Sequence, residues 1–544
     1  MTRILAAAIG SCIHVAGTIN FLNIASRLGY TTKFLGPAVP VQKLIEQVRE
    51  YDPDIVGVSY RLTPENVTPL LEELKELIQD HGLGSKRWIF GGTEAVAEVA
   101  QKSGIFSTVF SGRDTMEDVI SFLKRESVAK EKEYYPETLM ERVLLKRPFP
   151  ILRHHFGLPS LDETKKGIQI IAEAGVVDVI SIAPDQNAQE SFFRPEEMTV
   201  ETGSGGVPVR SKGDFCRLYA ASRHGNYPLL RCYSGTRDLI KMSELLYETI
   251  NNAWNATPLT WYSVLDMRSR RPLREAIVEN QHNMRWNAQH GIPVEVNESH
   301  QWSLRNAHDT LAVAMAYLAA YNAKKMGVNY YVSQYMFNTP LGTSPVMDLA
   351  KMLAKIELIE SLHDRTFSSL REVRVAGLLS YPVDSDYAKG QLASSVYLGM
   401  ALNPDIVHAV SYSEATHAAT PRDVVRTCKI TKQVIQNCLM GMPDMTKDPQ
   451  VITRKKELIS EAHMLLHAIQ SLGVGGDPFI DTDILEKAVC IGLLDAPHLK
   501  GNPVAKGEIE TTIINGACYA VDESGEILTE QQRIQDILEN RITE

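Results

Sequence analysis

One histidine near the start of the chain lies at a position where a sheet of parallel strands would bind a ligand. His14 follows a predicted buried strand and precedes a predicted helix, and Gly17 comes three residues later. The alternative for a single histidine at a helix start is a capping or core residue. Two later segments also end apolar runs, and the three segments are Gly10-Ser11-Cys12-Ile13-His14-Val15-Ala16-Gly17, Ser59-Tyr60-Arg61-Leu62 and Gly91-Gly92. Because ligands bind outside the carboxyl ends of parallel strands, the segments together predict one cofactor pocket.

Five strand–helix units contain these segments. Predicted strands cover residues 3–9, 31–35, 54–59, 87–90 and 107–110, and predicted helices begin at residues 14, 40, 66, 93 and 114. Five such units form a small doubly wound, Rossmann-like (flavodoxin-like) sheet, predicted here for residues 1–127. Residues 128–148 are charged, contain Pro136 and Pro148, and are predicted to be a linker with a helix of its own.

The strand–helix alternation then repeats eight times. The apolar runs that predict strands are Phe149 to His155, Val177 to Ala183, Leu229 to Ser234, Thr260 to Asp266, Val294 to Ser299, Asn329 to Phe337, Val373 to Tyr381 and Ile406 to Ser413. Eight units are the count of a (β/α)8 TIM barrel, predicted for residues 149–475. A glycine-rich hinge at 473–477 leads into a small α+β extension, residues 476–544, with a helix near 481–492 and a hairpin near 518–525. The predicted fold class is therefore α/β.

Composition and charge restrict the kind of protein. The chain has 544 residues, of which 44% are hydrophobic and 22% charged, as in a soluble protein of two or three domains. A net charge of -10 disfavours nucleic acid or an anionic membrane as a partner. Seven cysteines without a C-x-x-C pair indicate a reducing compartment. The apolar run 310–321 is too short to span a bilayer of about 30 Å, so a cytoplasmic protein is expected.

The three N-terminal segments, in this order, resemble the corrinoid-binding domain of coenzyme B12-dependent mutases. The resemblance implies that His14 is the lower ligand of cobalt in adenosylcobalamin, in place of the cofactor's own base. It also implies that the displaced base lies in a cleft, where Ser59 contacts it and paired glycines permit its close approach. The cofactor-binding residues assigned in this way are Ser11, Cys12, His14, Gly17, Ser59, Leu62, Gly91 and Gly92.

Cys12 departs from that family, which usually carries an aspartate two residues before the histidine. A metal-bound imidazole normally donates its other N–H group to a carboxylate, which fixes the tautomer and raises the basicity of the ligand. A thiol does this poorly. Either Ser11 or water takes over this role, or His14 binds cobalt weakly, or the pocket has lost its corrinoid.

The barrel and the extension resemble the catalytic subunit of glutamate mutase, and the N-terminal domain resembles the small subunit of the same enzyme. The matching segments are Leu152 to Gly157, Leu161 to Glu163, Ala174-Gly175, Val177-Asp178, Tyr381 to Asp384, Glu414-Ala415, Thr420 to Asp423 and Gly492 to Pro497. Three arginines of that enzyme clamp the substrate carboxylates, but only Arg153 lines up; the others fall near Gln189 and Tyr233. With one cationic partner, a bound dicarboxylate would keep a poorly compensated negative charge, at a cost of about 3–5 kcal/mol. A less charged substrate is therefore expected.

Two further residues match the active site of that subunit. Tyr262 matches a substrate-site tyrosine, and Glu414 matches a residue near the cofactor's ribose, although Val410 replaces its lysine neighbour. The resemblance thus implies that Arg153 binds a substrate carboxylate, Tyr262 positions the substrate and Glu414 holds the adenosyl ribose. The alternatives are a structural arginine at the barrel rim and two polar residues that line loops.

These matches predict an adenosylcobalamin-dependent mutase that rearranges the carbon skeleton of a small carboxylic acid other than glutamate, as a monomer or a homodimer. One alternative is a methyl-transferring or non-catalytic corrinoid-binding protein. A pyridoxal phosphate aminomutase is another, but no Schiff-base lysine can be assigned. A metal hydrolase is disfavoured because adjacent strand residues face opposite sides; its candidate ligands are His154, His155, His300, His408 and His417.

Overall fold

The computed structural model describes residues 2–114, 118–120, 122–123, 134–233, 235–375 and 381–543. The chain forms two compact units, residues 1–134 and 135–544. The predicted linker is divided, since 128–133 lie outside the described residues and Leu139–Lys146 is a helix of the second unit. The predicted helix from residue 114 lies partly outside the described residues. Within the described parts, no helix combines the length and the apolar character that crossing a bilayer requires.

The first unit is a five-stranded parallel sheet covered on both faces. Its elements are β1 (Arg3–Ala8), α1 (Ala16–Arg27), β2 (Thr31–Phe34), α2 (Val41–Tyr51), β3 (Ile55–Tyr60), α3 (Pro64–Asp80), β4 (Arg87–Gly92), α4 (Glu94–Ser103) and β5 (Thr108–Phe110). In β1, Ile4 belongs to the apolar cluster on one face and Leu5 to the cluster on the other. Burial on both faces explains why this strand reads as an uninterrupted apolar run. The predicted doubly wound sheet is confirmed.

The register of this sheet brings the predicted cofactor segments to one edge. The strand order is β2-β1-β3-β4-β5, so the order reverses between β1 and β3. Ser59 near the end of β3 pairs with Ala8 on one side and with Gly91 on the other, and Tyr60 pairs with Gly92. Open α/β sheets bind ligands at such a reversal, outside the carboxyl ends of the strands.

The second unit is built on eight parallel strands that form a nearly closed barrel. The strands are β6 (Ile151–Phe156), β7 (Val179–Ile182), β8 (Leu229–Arg231), β9 (Asn255–Thr257), β10 (Val294–Val296), β11 (Tyr330–Met336), β12 (Ser368–Arg374) and β13 (Ile406–His408). The helices are α5 (Leu139–Lys146), α6 (Leu161–Glu173), α7 (Gln186–Ser191), α8 (Lys212–Ser222), α9 (Leu239–Ile250), α10 (Leu273–Gln289), α11 (Ser299–Ser303), α12 (Asp309–Lys325), α13 (Pro345–Glu360), α14 (Ser385–Gly399), α15 (Pro421–Leu439) and α16 (Pro449–Ser471).

The barrel has a seam between β8 and β9, which are the two ends of the hydrogen-bonded strand order. The Ala253 backbone N–H donates to the Leu230 carbonyl at 2.9 Å. The Asn252 side chain accepts from the Cys232 N–H at 2.9 Å and donates to the Cys232 carbonyl at 3.1 Å. A side-chain amide therefore continues the pairing where the two strands are too short to do so.

The prediction of a strand over Thr260 to Asp266 is wrong. The strand is β9, and residues 260–266 form a buried loop in which Trp261 is fully buried against Trp302, with ring centroids 4.6 Å apart. Aromatic and β-branched residues are typical of strands. Here the same residue types occur in a loop, because their side chains are buried in the core. The predicted strand Val373 to Tyr381 begins too late, because β12 covers Ser368–Arg374. Residues 376–380 within that prediction, and Ser234 at the end of the predicted strand Leu229 to Ser234, lie outside the described residues.

The C-terminal extension packs within the second unit and contains α17 (Thr482–Cys490), the antiparallel strands β14 (Glu510–Ile514) and β15 (Ala517–Val521), and α18 (Glu530–Thr543). The hairpin lies earlier than predicted. Its turn is Asn515-Gly516, both with positive φ, which is a strong hairpin signal. The Cys518 N–H donates to Asp309 Oδ2 at 3.1 Å, which fixes the hairpin to helix α12.

Candidate functional site

A cleft of about 320 Å³ lies at the carboxyl edge of the first sheet. Four of the predicted cofactor residues line it, namely Gly17, Ser59, Gly91 and Gly92. Thr18 also lines the cleft; its hydroxyl is buried and has no hydrogen-bond partner among the described residues. Apolar side chains such as Phe21 and Phe110 form much of the wall. An apolar cleft with a few polar groups is the usual form of a small-molecule site.

Two glycines of the cleft are not explained by contacts within the protein. A Cβ atom at Gly17 or at Gly91 would meet no protein atom within 4 Å, and neither residue has a positive φ. Glycine costs about 0.5–1 kcal/mol relative to alanine inside a helix or a strand, so its presence there needs another reason. At Gly92, in contrast, a Cβ would lie 2.7 Å from the Tyr60 carbonyl oxygen. Gly92 is required by the fold, whereas Gly17 and Gly91 leave space that a ligand can fill.

His14 lies in the exposed loop between β1 and α1, at the same edge of the sheet but outside the lining of the cleft. The buried Cys12 Sγ lies 3.9 Å from His14 Nδ1. The other three predicted residues of this edge, Ser11, Cys12 and Leu62, are also outside the lining. The structure therefore places the histidine beside the cleft and the sulfur of Cys12 next to its Nδ1 atom.

A second cavity, of about 190 Å³, lies at the carboxyl ends of β6, β12 and β13, and we call it the barrel-mouth cavity. It is lined by His154, His155, Phe156, Gly157, Ala183, Arg374, His408, Ala409, Val410, Ser411, Glu414, Ala418 and Ala419. Active sites of β/α barrels lie at this end of the strands. Of the three predicted catalytic residues, Glu414 lines the cavity, and Arg153 and Tyr262 do not.

Arg153 lies inside the barrel, two residues deeper along β6 than His155, and is 1% exposed. Its Nε donates to Ser181 Oγ at 2.8 Å, and its Nη1 is paired with Glu372 and lies 3.4 Å from Glu295 Oε2. Glu295 also accepts from Arg231 at 2.7 Å. Burial by itself would raise the pKa of Glu295, but Arg231 and Arg153 outweigh it and hold that pKa below its usual value. Burial raises the pKa of Glu372 to about 7, against the opposing charge of Arg153. Two guanidinium groups and two carboxyl groups thus form one buried network.

Two histidines link this network to the cavity. The Arg153 guanidinium donates to His155 Nε2 at 3.3 Å, so the ring proton of His155 is on Nδ1. That N–H donates to His408 Nε2 at 3.0 Å, which leaves the proton of His408 on Nδ1, 3.5 Å from Glu372 Oε1. Burial, reinforced by the charge of Arg153, holds the pKa of both histidines well below the ordinary value. The base of the cavity therefore carries a pair of neutral imidazoles.

The buried histidines predict a loss of stability on mild acidification. Burial lowers the pKa of His154 from 6.5 to about 4 and that of His300 to about 3. Below pH 6.5 the unfolded chain takes up protons that the folded chain does not, so the free energy of unfolding falls as the pH decreases from 6.5 towards 4. Thermal midpoints measured from pH 7.5 to pH 5 in roughly half-unit steps check this slope. We expect His300→Gln to reduce it and the exposed-site variant His463→Gln to leave it unchanged; equal slopes in both would contradict the assignment.

Tyr262 lies in the loop that follows β9, with a backbone φ of 59°. Its ring centroid is 6.0 Å from that of Tyr233, and burial raises its pKa. Both tyrosines flank the seam of the barrel, whereas the barrel-mouth cavity is bordered by β6, β12 and β13. The structure does not bring Tyr262 into one cavity with Glu414.

Sequence reasoning missed several charged residues of the barrel interior, above all Glu295, Glu372 and Arg374. A signal for them exists, because Val294-Glu295-Val296 and Glu372-Val373-Arg374 alternate charged and apolar residues within strands. The metal-hydrolase alternative gains no support: among the described residues, no group of three or more His, Cys, Asp and Glu is arranged to hold a metal ion.

No protein-family model and no curated protein matches the chain. Among solved structures, a cobalamin-binding protein from Desulfitobacterium hafniense DCB-2 is 24% identical over 23% of this chain and 60% of its own length, with a TM-score of 0.21. The signal receiver domain of the response regulator NarL from Mycobacterium tuberculosis is 12% identical over 23% of this chain and 96% of its own, with a TM-score of 0.17. A 2,3-dimethylmalate lyase of the PEP mutase/isocitrate lyase superfamily is 10% identical over 61% of this chain and 97% of its own, with a TM-score of 0.28. At these identities and TM-scores the likenesses transfer no function to this chain.

Proposed function

We propose that the chain is a corrinoid-dependent isomerase, in which the first unit binds adenosylcobalamin and the second binds a small carboxylic acid. The cleft of the first unit carries the proposal. It has a buried Thr18 hydroxyl without a partner among the described residues, and glycines at 17 and 91 that face open space. His14 is exposed at the same edge of the sheet. These features suit a large ligand that presents a metal at the edge and buries a polar tail in the cleft.

The residues of the first unit fit such a ligand in a specific way. His14 would bind cobalt through Nε2, which requires the ring proton to be on Nδ1 and to point at Cys12 Sγ, 3.9 Å away. Sulfur is a weak acceptor, so this contact orients the ring but adds less basicity than a carboxylate would. Thr18 and Ser59 would hydrogen-bond the tail, and Gly17 and Gly91 would give it room.

When bound, adenosylcobalamin supplies the radical that takes a hydrogen atom from the substrate. The chain's own part is to bind and orient the reactants and to exclude water. In the second unit we assign Glu414 to the adenosyl ribose. We assign no substrate contact to Tyr262, because it packs near Tyr233 at the seam of the barrel and lies outside the barrel-mouth cavity. We give Arg153 a positioning role, because Ser181, Glu295, Glu372 and His155 already engage its guanidinium.

The proposal predicts that the full chain binds adenosylcobalamin in the dark, with an absorption spectrum typical of a histidine-ligated corrinoid. His14→Ala is expected to lose that spectral signature, because no imidazole then reaches the lower face of cobalt. His81→Ala, at another exposed histidine of the first unit, is the matched control and should bind as the unchanged chain does. Absence of binding by the unchanged chain would overturn the proposal, and an unaltered spectrum of His14→Ala would overturn the assignment of the ligand.

A corrinoid-binding protein without isomerase activity is the second candidate. The observation that favours it is the engagement of Arg153 inside the barrel, which removes the one arginine that matches a substrate clamp. Paramagnetic resonance of the loaded protein with small carboxylic acids separates the two. A radical signal that depends on the added acid supports the isomerase, and corrinoid binding without such a signal supports the carrier.

A further inference from the structure

Arg374, the last residue of β12, lines the barrel-mouth cavity. Its guanidinium forms no hydrogen bond and no ion pair with any residue that the structure describes, and its Nε atom is buried. Residues 376–380, which follow it, are Ala-Gly-Leu-Leu-Ser and contain no acidic side chain. The carboxyl groups of Glu414, Glu372 and Glu295 bring negative charge near this guanidinium, but none of them forms a hydrogen bond or ion pair with it. A buried guanidinium whose N–H groups lack acceptors is unfavourable, so a ligand is a natural source of those acceptors.

The neighbouring arginines show what a structural role looks like in this barrel. Arg153 and Arg231 are both within ion-pair distance of Glu295, and Arg153 also pairs with Glu372. Glu295 and Glu372 therefore engage Arg153 and Arg231 directly, and neither carboxyl group forms an ion pair with Arg374.

The other walls of the cavity fit an anion with a polar substituent. The neutral pair His155 and His408 brings no competing positive charge. His154 donates from Nδ1 to the His155 carbonyl at 2.5 Å, and its buried Nε2 atom has no partner among the described residues. This nitrogen is therefore a free acceptor, and a hydroxyl or amino group of a ligand can donate to it. Glu414 lies in the same cavity, where burial raises its pKa against the opposing effect of the Arg374 charge.

We propose that Arg374 binds the carboxylate of a small organic acid in the barrel-mouth cavity, and that this acid carries a hydrogen-bond donor. A guanidinium is suited to this because its fork of N–H groups matches both carboxylate oxygens. The cavity volume of about 190 Å³ restricts the bound part of the ligand to a few heavy atoms. The inference deepens the proposed function by naming the group that recognises its substrate class, and to that extent it rests on that function.

The test is a calorimetric titration of the full chain, without corrinoid, with propionate, lactate and propionamide. We expect both carboxylates to bind, lactate more tightly than propionate, and the uncharged amide not to bind. Arg374→Gln should weaken carboxylate binding at least 10-fold, which corresponds to about 1.4 kcal/mol, and Arg374→Lys should weaken it less. Arg426→Gln, which removes one charge from an exposed site on α15, is the matched control and should bind normally.

A second measurement, of thermal stability, shows whether a variant that fails to bind is still folded. Bound carboxylate should raise the thermal midpoint of the unchanged chain, and this shift should disappear in Arg374→Gln and be partly restored in Arg374→Lys. No carboxylate binding by the unchanged chain, or equal binding by Arg374→Gln, would overturn the inference. Neither result bears on corrinoid binding, which is measured separately, so the failure of one proposal is distinguishable from the failure of the other.

Discussion

Glu295→Gln is expected to lower the free energy of unfolding of the second unit by about 3–5 kcal/mol, the usual cost of removing one partner from a buried ion pair. Glu295 accepts hydrogen bonds from Arg231 at 2.7 Å and from the Trp254 indole N–H at 2.8 Å, and lies 3.4 Å from Arg153. Without its charge, two buried guanidinium groups share Glu372 alone. Urea unfolding followed by tryptophan fluorescence measures the loss, because Trp254, Trp261, Trp286 and Trp302 all lie in this unit.

The matched control for this prediction is Glu248→Gln. Glu248 pairs with Lys212 at the surface, where both side chains are more than half exposed, so its removal should cost less than about 1 kcal/mol. The double variant Glu295→Gln with Arg231→Gln restores the charge balance and should recover part of the loss. A loss no larger than that of Glu248→Gln would show that Glu295 does not hold the network together.

Gly91→Val is expected to weaken adenosylcobalamin binding at least 100-fold, about 2.7 kcal/mol, while the fold is kept. The first unit tolerates the side chain because a Cβ at this position meets no protein atom within 4 Å, and valine is favourable in a strand. The same side chain would occupy the space in which the proposed function places the cofactor's tail. The dissociation constant is obtained from absorbance titrations in the dark, with circular dichroism as the check on folding.

Two other glycines supply the controls for Gly91→Val. Gly84 also has open space around its Cβ position but lies outside the cleft, so Gly84→Val should bind the corrinoid normally. Gly92→Ala should instead destabilise the unit, because its Cβ would lie 2.7 Å from the Tyr60 carbonyl oxygen. Undiminished binding by Gly91→Val would mean that the cleft does not hold the tail.

The sequence predicts the architecture because both sheets are made of strands with strong local patterns. The apolar run of β1 and the paired Gly91-Gly92 at the end of β4 identify the first sheet and its ligand edge. Most of the eight barrel strands are recognised for the same reason. The prediction fails at β9, a three-residue strand, because the adjacent run containing Trp261 and Tyr262 has the composition of a strand but is buried as a loop.

A residue of the candidate site can be predicted from the sequence when its type is unusual at its position. It cannot be predicted when its role depends on which distant side chain it pairs with. His14 and the glycines of the cleft belong to the first kind. Arg153 and Arg374 belong to the second: both end up inside or at the mouth of the barrel, and both are arginines on strands. Arg153 forms ion pairs with carboxyl groups from distant strands, and Arg374 forms none with the described residues. Such long-range pairing leaves no trace in the local sequence.

The seam between β8 and β9 gives the ring of strands one point of low stiffness. Elsewhere adjacent strands share a ladder, but here a backbone amide and the Asn252 side chain carry the connection. Separating adjacent strands of the barrel therefore requires the least free energy at this seam, next to Tyr233 and Tyr262. The barrel-mouth cavity lies diametrically opposite, on the unbroken arc from β6 through β13 to β12. The wall that carries Arg374 therefore belongs to the continuously hydrogen-bonded part of the ring, where the strands hold its position most firmly.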